Sequence, residues 1–216
     1  MQILLKYFSR LTPEQSKQFG DLEKVYKHWN ARINVISRKD VDNLYEKHVL
    51  HSLSIAAVFD FAKNTNIVDI GTGGGFPGIP LAIFFPDVIF HLVDSVAKKL
   101  KVVEAIAHDI GLKNITTEHT RAEEIKGRKF DFAVSRAVAP LKDLLKWSKP
   151  LLKNSKSYPD SSGNSKDMLA PGLICLKGGD LTKEISESAT RPRVTEIFDL
   201  FPENYFKEKY ILYIPQ

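Results

Sequence analysis

The stretch Ile67–Phe84, IVDIGTGGGFPGIPLAIF, decides the fold of this 216-residue chain. A short β-branched run contains an acidic residue, four glycines then fall within five positions, and an apolar segment of helical character follows. This order predicts a strand, a ligand-binding loop and a helix. Four glycines in one turn cost ordering entropy that a plain connection would avoid, so we expect the loop to hold a bound cofactor.

Three kinds of glycine loop compete for this stretch. A Walker loop requires Lys-Ser/Thr after its last glycine, whereas Phe76-Pro77 follows Gly75 here, so that interpretation fails. A dinucleotide fingerprint counted from Gly71 has Phe76 in place of its third glycine, which weakens that interpretation without excluding it. The remaining alternative is the loop of class I S-adenosylmethionine-dependent methyltransferases, which the string D-x-G-x-G-x-G from Asp69 to Gly75 resembles.

The sign of charge at Asp69 favours that alternative. Asp69 is placed near the carboxyl end of the first predicted strand, where open α/β sheets bind their ligands. S-adenosylmethionine carries an ammonium and a sulfonium group, so a carboxylate attracts it, whereas the same carboxylate would repel a pyrophosphate. Gly71 and Gly73 allow the backbone to approach the ligand with positive φ angles. The predicted cofactor is therefore S-adenosylmethionine, held in part by Asp69, Gly71 and Gly73.

Composition sets wider bounds. With 43% hydrophobic and 26% charged residues, the chain is typical of a globular protein with one large or two small domains. The sequence contains neither an apolar run near the length of a membrane span nor a secretory signal pattern. A single cysteine, Cys175, excludes an internal disulfide, so we expect a cytoplasmic protein. The net charge of +5 is compatible with a polyanionic partner.

Residues 1–65 are predicted to form an all-helical segment. Thr12-Pro13-Glu14-Gln15 reads as a capping box with proline at the first helical position, and Ser37-Arg38-Lys39-Asp40 is a second helix start. His48 and His51 are three residues apart on the second helix, a spacing that could hold a metal. No acidic or cysteine ligand stands in pattern with them, so we favour packing or hydrogen-bonding roles and assign no metal.

From residue 66 onward strands alternate with helices, which predicts a mostly parallel sheet with helices on its faces. The fold class is α/β, a Rossmann-like methyltransferase domain over 66–216. The short link between the last two strands favours an antiparallel final pair. A stretch rich in Ser, Asn, Asp and Lys over 153–170 is predicted to be a mobile insertion. The seven predicted strands span 67–70, 88–93, 114–118, 130–136, 173–179, 194–200 and 209–214.

Further site residues are predicted at the ends of later strands. Asp94 follows Gly71 by 23 positions, about where nucleotide-binding α/β units place the carboxylate that binds ribose hydroxyls. Its alternative role is a helix cap, to which Ser95 is equally suited. At the end of the fourth strand stands Ser135-Arg136, where many amino-methylating enzymes carry Asn/Asp-Pro-Pro-aromatic. An arginine cannot accept a hydrogen bond from an amine, so the predicted methyl acceptor is not an exocyclic amine.

Together these motifs resemble the bacterial small-subunit ribosomal RNA guanine-N7 methyltransferase family, also called glucose-inhibited division protein B. The resemblance covers nearly the whole chain, and the F-P-G-I-P continuation after the glycine loop is its specific part. Further matching segments are WNARINVIS at 29–37, HVLHSL at 48–53, LVDS at 92–95, RAEE at 121–124, SRA at 135–137 and LKG at 176–178.

The resemblance implies a function and a site. It implies methyl transfer from S-adenosylmethionine to N7 of a guanine in the decoding-region loop of small-subunit rRNA. Guanine N7 carries a lone pair and no proton, so no catalytic base is expected. Arg136 and Lys177 are the predicted substrate-binding residues, and the predicted partner is small-subunit rRNA or its particle, bound by a monomer. The cofactor contacts it implies, together with neighbouring residues of the same motifs, are Asp69, Gly71, Gly73, Phe76, Asp94, Ser95, Ala122, Glu123 and Arg136.

Two alternatives to this function stay open. One is a methyltransferase that acts on another RNA or on a protein. The other is a non-catalytic module that binds RNA or an adenosine nucleotide. Transfer of a radiolabelled methyl group from S-adenosylmethionine to RNA distinguishes the non-catalytic module from the enzymes.

Overall fold

Seven strands form a single sheet in the computed structural model, which describes residues 1–37, 39–154 and 169–216. The strands are β1 Asn66–Ile70, β2 Ile89–Asp94, β3 Ile115–His119, β4 Phe132–Arg136, β5 Gly172–Gly178, β6 Arg193–Glu196 and β7 Lys209–Pro215. Their order is β3-β2-β1-β4-β5-β7-β6, with β7 antiparallel to both neighbours and the other pairs parallel. The predicted sheet is confirmed, and the carboxyl ends of β1 to β5 share one edge.

The N-terminal part is helical, as predicted. Its elements are α1 Gln2–Tyr7, α2 Pro13–Asn30, a 3₁₀ turn Val41–Asn43, a π-helical turn Tyr45–Leu50 and α3 His51–Val58. The capping box that opens α2 is present: the Gln15 backbone N–H donates to Thr12 Oγ1 at 3.2 Å, and the Thr12 N–H donates to Gln15 Oε1 at 2.9 Å. The Gln15 amide also donates to the carbonyl of Phe84 at 2.9 Å, which ties the start of α2 to the helix that follows the glycine loop.

The later helices cover both faces of the sheet. They are α4 Gly78–Phe84, α5 Ala97–Asp109, α6 Leu141–Ser148, α7 Thr182–Ser188 and α8 Ile197–Leu200. The strand predicted over 194–200 is wrong in its second half, where α8 begins. Ile197 and Phe201 are both buried and four residues apart, and the Phe201 N–H donates to the Ile197 carbonyl at 2.9 Å. Burial of these two side chains on one face favours a helical turn over an extended strand.

Two hydrophobic clusters form the core. The larger one joins side chains of the first 65 residues, such as Phe19 and Leu53, to sheet residues such as Phe90. The predicted domain boundary at 65/66 stays a prediction, and most of the predicted insertion over 153–170 lies outside the described residues. Helices long and apolar enough for a bilayer are absent from the described ranges.

Two glycines provide a matched test of this packing. A Cβ on Gly78, the first residue of α4, would lie 2.8 Å from Asp69 Oδ2 and 2.8 Å from Leu92 Cγ, whereas one on Gly20 in α2 would meet nothing within 4 Å. We expect Gly78→Ala to lower the free energy of unfolding by about 1–3 kcal/mol through overpacking. Gly20→Ala should raise it by about 0.5–1 kcal/mol. Urea denaturation of both variants measures this, and a stabilised Gly78→Ala protein would contradict the packing described here.

Candidate cofactor and substrate site

The glycine loop leaves β1 in a conformation that requires glycine. Gly71, Gly73 and Gly75 have φ angles of +69°, +58° and +91°. At Gly71 a Cβ would also lie 2.7 Å from a methyl carbon of Val138. The loop therefore depends on glycine both for its backbone angles and for the close approach of the segment that follows β4.

Asp69 lies beneath this loop rather than on its surface. Its side chain is fully buried, and Oδ2 accepts hydrogen bonds from Thr72 Oγ1 at 2.6 Å and from the Gly78 N–H at 2.9 Å. Burial raises the pKa of the Asp69 carboxyl to about 7, although these two hydrogen bonds act in the opposite direction. Among the described residues no group donates to its buried Oδ1. Asp69 thus holds the loop in place, and its contact with the cofactor ammonium stays a prediction.

The raised pKa of Asp69 makes stability depend on pH. Its pKa rises from 3.8 in the unfolded chain to about 7 in the fold, so between these values the folded state holds a proton that the unfolded state has lost. The contribution of Asp69 to stability is therefore complete below pH 3.8 and is lost as the pH rises to about 7. The loss amounts to at most about 1.4 kcal/mol per pH unit.

Asp69→Asn isolates this effect, because the amide matches the carboxyl in shape but does not titrate. We expect the free energy of unfolding of the parent protein to fall relative to that of Asp69→Asn as the pH is raised from 5 to 8. Urea denaturation of both proteins at several pH values measures the difference. A difference that stays constant over this range would show that Asp69 is ionised throughout.

Asp94 connects the end of β2 to the glycine loop. Its Oδ2 accepts a hydrogen bond from the Gly73 N–H at 2.9 Å, and its Oδ1 accepts one from the Val96 N–H at 2.8 Å. The second contact lies just before α5: Val96 is the N-cap residue of that helix and no side chain caps it, so the helix-cap role considered as the alternative is not observed. Each carboxylate oxygen has a further lone pair, so the same side chain retains capacity for ribose hydroxyls. The Ser95 side chain is exposed, and its carbonyl accepts a hydrogen bond from His119 at 3.1 Å.

A small cavity of about 100 Å³ lies at this sheet edge. It brings together five of the predicted cofactor residues, namely Gly71, Asp94, Ser95, Ala122 and Glu123. Val138 and Trp147, which were not among the predicted site residues, also line it. A close-approach loop, a carboxylate with free lone pairs and the apolar Ala122 and Trp147 fit a nucleoside that carries a cationic tail.

A larger cavity of about 740 Å³ adjoins the small one, and Val138 lines both. Arg136 reaches it from the end of β4. Its guanidinium donates to the Lys47 carbonyl at 3.2 Å and to His48 Nδ1 at 2.9 Å, and its Cζ lies 5.0 Å from the centre of the Phe76 ring. Arg136 is therefore held in position by the N-terminal helical part and the glycine loop.

Three predicted cofactor residues, Asp69, Gly73 and Phe76, line neither cavity as the described residues define them. Phe76 is buried, with the Tyr26 ring stacked at 5.0 Å and the His48 ring at 4.9 Å. The Tyr26 hydroxyl donates to the Gly74 carbonyl at 2.7 Å. In this structure Phe76 secures the loop against the helical part, and its contact with the cofactor stays a prediction.

Lys177, the second predicted substrate residue, is already paired. Its side chain is 8% exposed, Nζ donates to the Ala139 carbonyl at 2.5 Å, and it forms an ion pair with Glu184. Glu184 also accepts from the Leu141 N–H at 2.5 Å. Glu184 was not predicted as its partner, because no helix was predicted over Thr182–Ser188. Contact between Lys177 and the substrate stays a prediction.

The histidine at position 48 is the site residue whose role was only partly predicted. Its spacing from His51 drew attention to it, and both roles that were favoured, packing and hydrogen bonding, are observed: its ring packs against Phe76 and its Nδ1 contacts Arg136. Burial first and the charge of Arg136 second lower the pKa of His48 to about 3. A neutral imidazole accepts through one ring nitrogen, so His48 can receive the Arg136 hydrogen bond at Nδ1.

The sheet order, the glycine loop after β1 and the carboxylate at the end of β2 define a class I S-adenosylmethionine-dependent methyltransferase. Solved structures agree on the fold. A SAM-dependent methyltransferase from Aquifex aeolicus matches with a TM-score of 0.56 and 14% identity, over 82% of this chain and 97% of that chain. A chain of a fibrillarin/Nop5p complex matches with a TM-score of 0.53 and 10% identity, over 75% of this chain and 78% of that chain.

Sequence similarity narrows the class to one family. The profile described as GidB, rRNA small subunit methyltransferase G, matches residues 15–159. Proteins named Ribosomal RNA small subunit methyltransferase G are 52% identical in Phocaeicola vulgatus, over 99% of this chain and 98% of that one, and 50% identical in Porphyromonas gingivalis, over 99% and 93%. This chain belongs to the rRNA small subunit methyltransferase G family. The resemblance predicted from its motifs is confirmed; the chain is an enzyme, and its cofactor is S-adenosylmethionine.

Proposed function

We propose that this enzyme transfers a methyl group from S-adenosylmethionine to N7 of a guanine in the decoding-region loop of 16S rRNA. The names of its relatives support rRNA as the substrate class. The observation that carries the proposal is the pair of adjoining cavities at the carboxyl edge of the sheet. The small one has the features of a nucleoside site, and the larger one begins at Arg136, with Val138 between them.

For methyl transfer to N7, the main task of the protein is to align the guanine with the methyl group of the cofactor. When bound, S-adenosylmethionine supplies an electrophilic methyl group on its sulfonium. Guanine N7 has an in-plane lone pair and no proton, so the residues of the site have to position the base rather than remove a proton from it. Accordingly, we assign no general base.

Arg136 is the residue we assign to the guanine. In guanine, O6 and N7 form the acceptor edge that an arginine fork reads with two hydrogen bonds. Arg136 donates two hydrogen bonds, one to the Lys47 carbonyl and one to His48 Nδ1. Its guanidinium has five N–H groups, so donors remain for a base in the larger cavity. Lys177 is retained as a proposed second contact, although reaching the substrate would require it to leave Glu184.

The proposal includes nine cofactor residues, a monomeric state and a cytoplasmic location. Asp94, Ser95, Ala122, Glu123 and Gly71 are assigned to the cofactor because they line the small cavity. The remaining four follow the family motif, and they are Asp69, Gly73, Phe76 and Arg136.

A single buried cysteine suits a reducing compartment. Light scattering on the purified protein, alone and with small-subunit particles, tests the monomer.

Mass mapping of modified 16S rRNA tests the function. We expect rRNA from cells that lack this protein to lose one methyl group from a guanine of the decoding-region loop, and the purified enzyme to restore it with S-adenosylmethionine. Chemical cleavage specific for N7-methylated guanine identifies the methylated atom. Label at a different atom, in another RNA or in protein would contradict the proposal, and uptake of cofactor without any transfer would indicate a binding module instead.

A further inference from the structure

The larger cavity contains cationic side chains, some of which already have an ion-pair or hydrogen-bond partner in the protein. They are Arg136, Lys177, Lys183 and Lys209. The Lys177 ammonium is paired with Glu184, and Lys183 Nζ lies 3.8 Å from a carboxylate oxygen of Glu187. Arg136 is hydrogen bonded to the helical part. Within the described residues, Lys209 has neither a carboxylate within 4.0 Å nor a hydrogen-bond acceptor for its ammonium. Among the described residues, the three N–H donors of Lys209 therefore have no protein acceptor and can bind an anion in this cavity.

The fold places Lys209 at the functional edge of the sheet. In the antiparallel β5–β7 pair, Lys209 at the start of β7 lies opposite Gly178, the last residue of β5. Arg136, the last residue of β4, lies opposite Leu176 on β5. Arg136 at the end of β4 and Lys209 at the start of β7, beside the end of β5, thus reach the same cavity.

An aromatic ring holds the Lys209 ammonium. Its Nζ lies 4.4 Å from the centre of the Tyr205 ring, a cation–π contact that orients the charge and leaves its three N–H donors available. The Tyr205 ring is held by two contacts. Its hydroxyl donates to the Lys47 carbonyl at 3.2 Å, and the ring packs edge to face against the His51 ring with centroids 5.9 Å apart. Lys209 is therefore presented to the cavity by a supported platform.

We propose that Lys209, held on the Tyr205 ring, binds a backbone phosphate of the RNA strand whose guanine enters the larger cavity. The proposal rests on the proposed function, since it assigns one contact of the same substrate. An ammonium without a protein acceptor is opposite in charge to a backbone phosphate, and its N–H donors suit the acceptor oxygens of that phosphate. The phosphate contact positions the strand, whereas Arg136 reads the base.

Lys207 offers a matched control. It is exposed, lies two residues before Lys209, and has its Nζ 5.8 Å from the Phe198 ring, but it does not line the cavity. Lys209→Ala and Lys207→Ala remove the same charge from the same segment. We expect Lys209→Ala to weaken binding of small-subunit rRNA by about tenfold, because one charge-assisted hydrogen bond is lost. The slope of log affinity against log salt should fall by about 0.7, the value for one phosphate contact on single-stranded nucleic acid.

The RNA affinities of these variants distinguish a specific Lys209–phosphate contact from the effect of removing any positive charge. Lys207→Ala should change RNA affinity less than Lys209→Ala does, both variants should bind S-adenosylmethionine like the parent, and Lys209→Arg should retain most of the affinity. Tyr205→Phe should retain the platform, whereas Tyr205→Leu should reproduce part of the Lys209→Ala loss. Equal effects of Lys209→Ala and Lys207→Ala, or an unchanged salt slope, would overturn the proposal. RNA binding is read without methyl transfer, so a protein that binds RNA through Lys209 but does not methylate N7 would contradict only the proposed function.

Discussion

Arg136→Met is expected to lower kcat/KM for methylation of small-subunit particles by about 10- to 100-fold, because a bidentate arginine contact to a guanine edge is worth roughly 1–3 kcal/mol. Methionine fills much of the same volume without the charge, so the fold should survive. Arg136 lines the larger cavity and not the small one, so we expect turnover to fall more than affinity for S-adenosylmethionine, and any fall in that affinity measures the cofactor contact also proposed for Arg136. Methyl transfer, calorimetric titration of the cofactor and thermal unfolding together measure these expectations.

His48 provides a second arm of this test, because it holds Arg136 without lining either cavity. His48→Asn retains an acceptor near the position of Nδ1, where Arg136 donates, whereas His48→Gln places its acceptor near the position of Nε2. We expect the Asn variant to retain more activity than the Gln variant at equal stability. Because the pKa of His48 is about 3, its loss of a proton should produce no inflection in the pH–rate profile above pH 5. Unchanged turnover in Arg136→Met would remove Arg136 from the site.

The sheet could be predicted because its signals are local. The glycine loop after β1, the break at Asp94 and the capping box at Thr12 each depend on residues within a few positions of one another, and each is present in the structure. Where two local signals conflict, the prediction failed. Ile197 and Phe201 suit a β-strand by residue type, yet their spacing of four on a buried face places them on a helical turn.

The partners and protonation states of the charged site residues could not be predicted to the same extent. Arg136 and His48 are 88 positions apart in the chain, so only the fold shows that one holds the other. Lys177 looked available, but a helix that carries no strong periodic signal brings Glu184 to it. Asp69 was assigned by its negative charge, whereas complete burial raises its pKa to about 7 and its Oδ2 supports the loop. Residue type shows which roles a side chain can have in the site, and burial and packing determine which of these roles it has.

Asp94→Ala is expected to reduce affinity for S-adenosylmethionine by about 100-fold or more. The side chain holds the Gly73 and Val96 backbone amides, and each hydrogen bond to a charged acceptor contributes about 1.5–3 kcal/mol. Loss of the first releases the glycine loop, and the proposed contacts with the ribose hydroxyls disappear at the same time. Calorimetric titration measures the affinity, and Asp87→Ala is the control, because Asp87 is exposed and forms only a loose pair with Lys63 at 3.5 Å.

The same variant distinguishes a cofactor ligand from a residue that only supports the loop. If Asp94 only supports the backbone, Asp94→Ala should lower the free energy of unfolding and should reduce the added stability from saturating cofactor only as far as release of the loop weakens binding. If it also binds the ribose, that added stability should fall with the affinity, since it follows the ratio of ligand concentration to Kd. Asp94→Asn refines the comparison: its amide keeps one acceptor oxygen and replaces the other with a donor, so one backbone amide loses its partner. We therefore expect Asp94→Asn to lie between the parent and Asp94→Ala in affinity, and an Asn variant with parental affinity would limit Asp94 to its role in the loop.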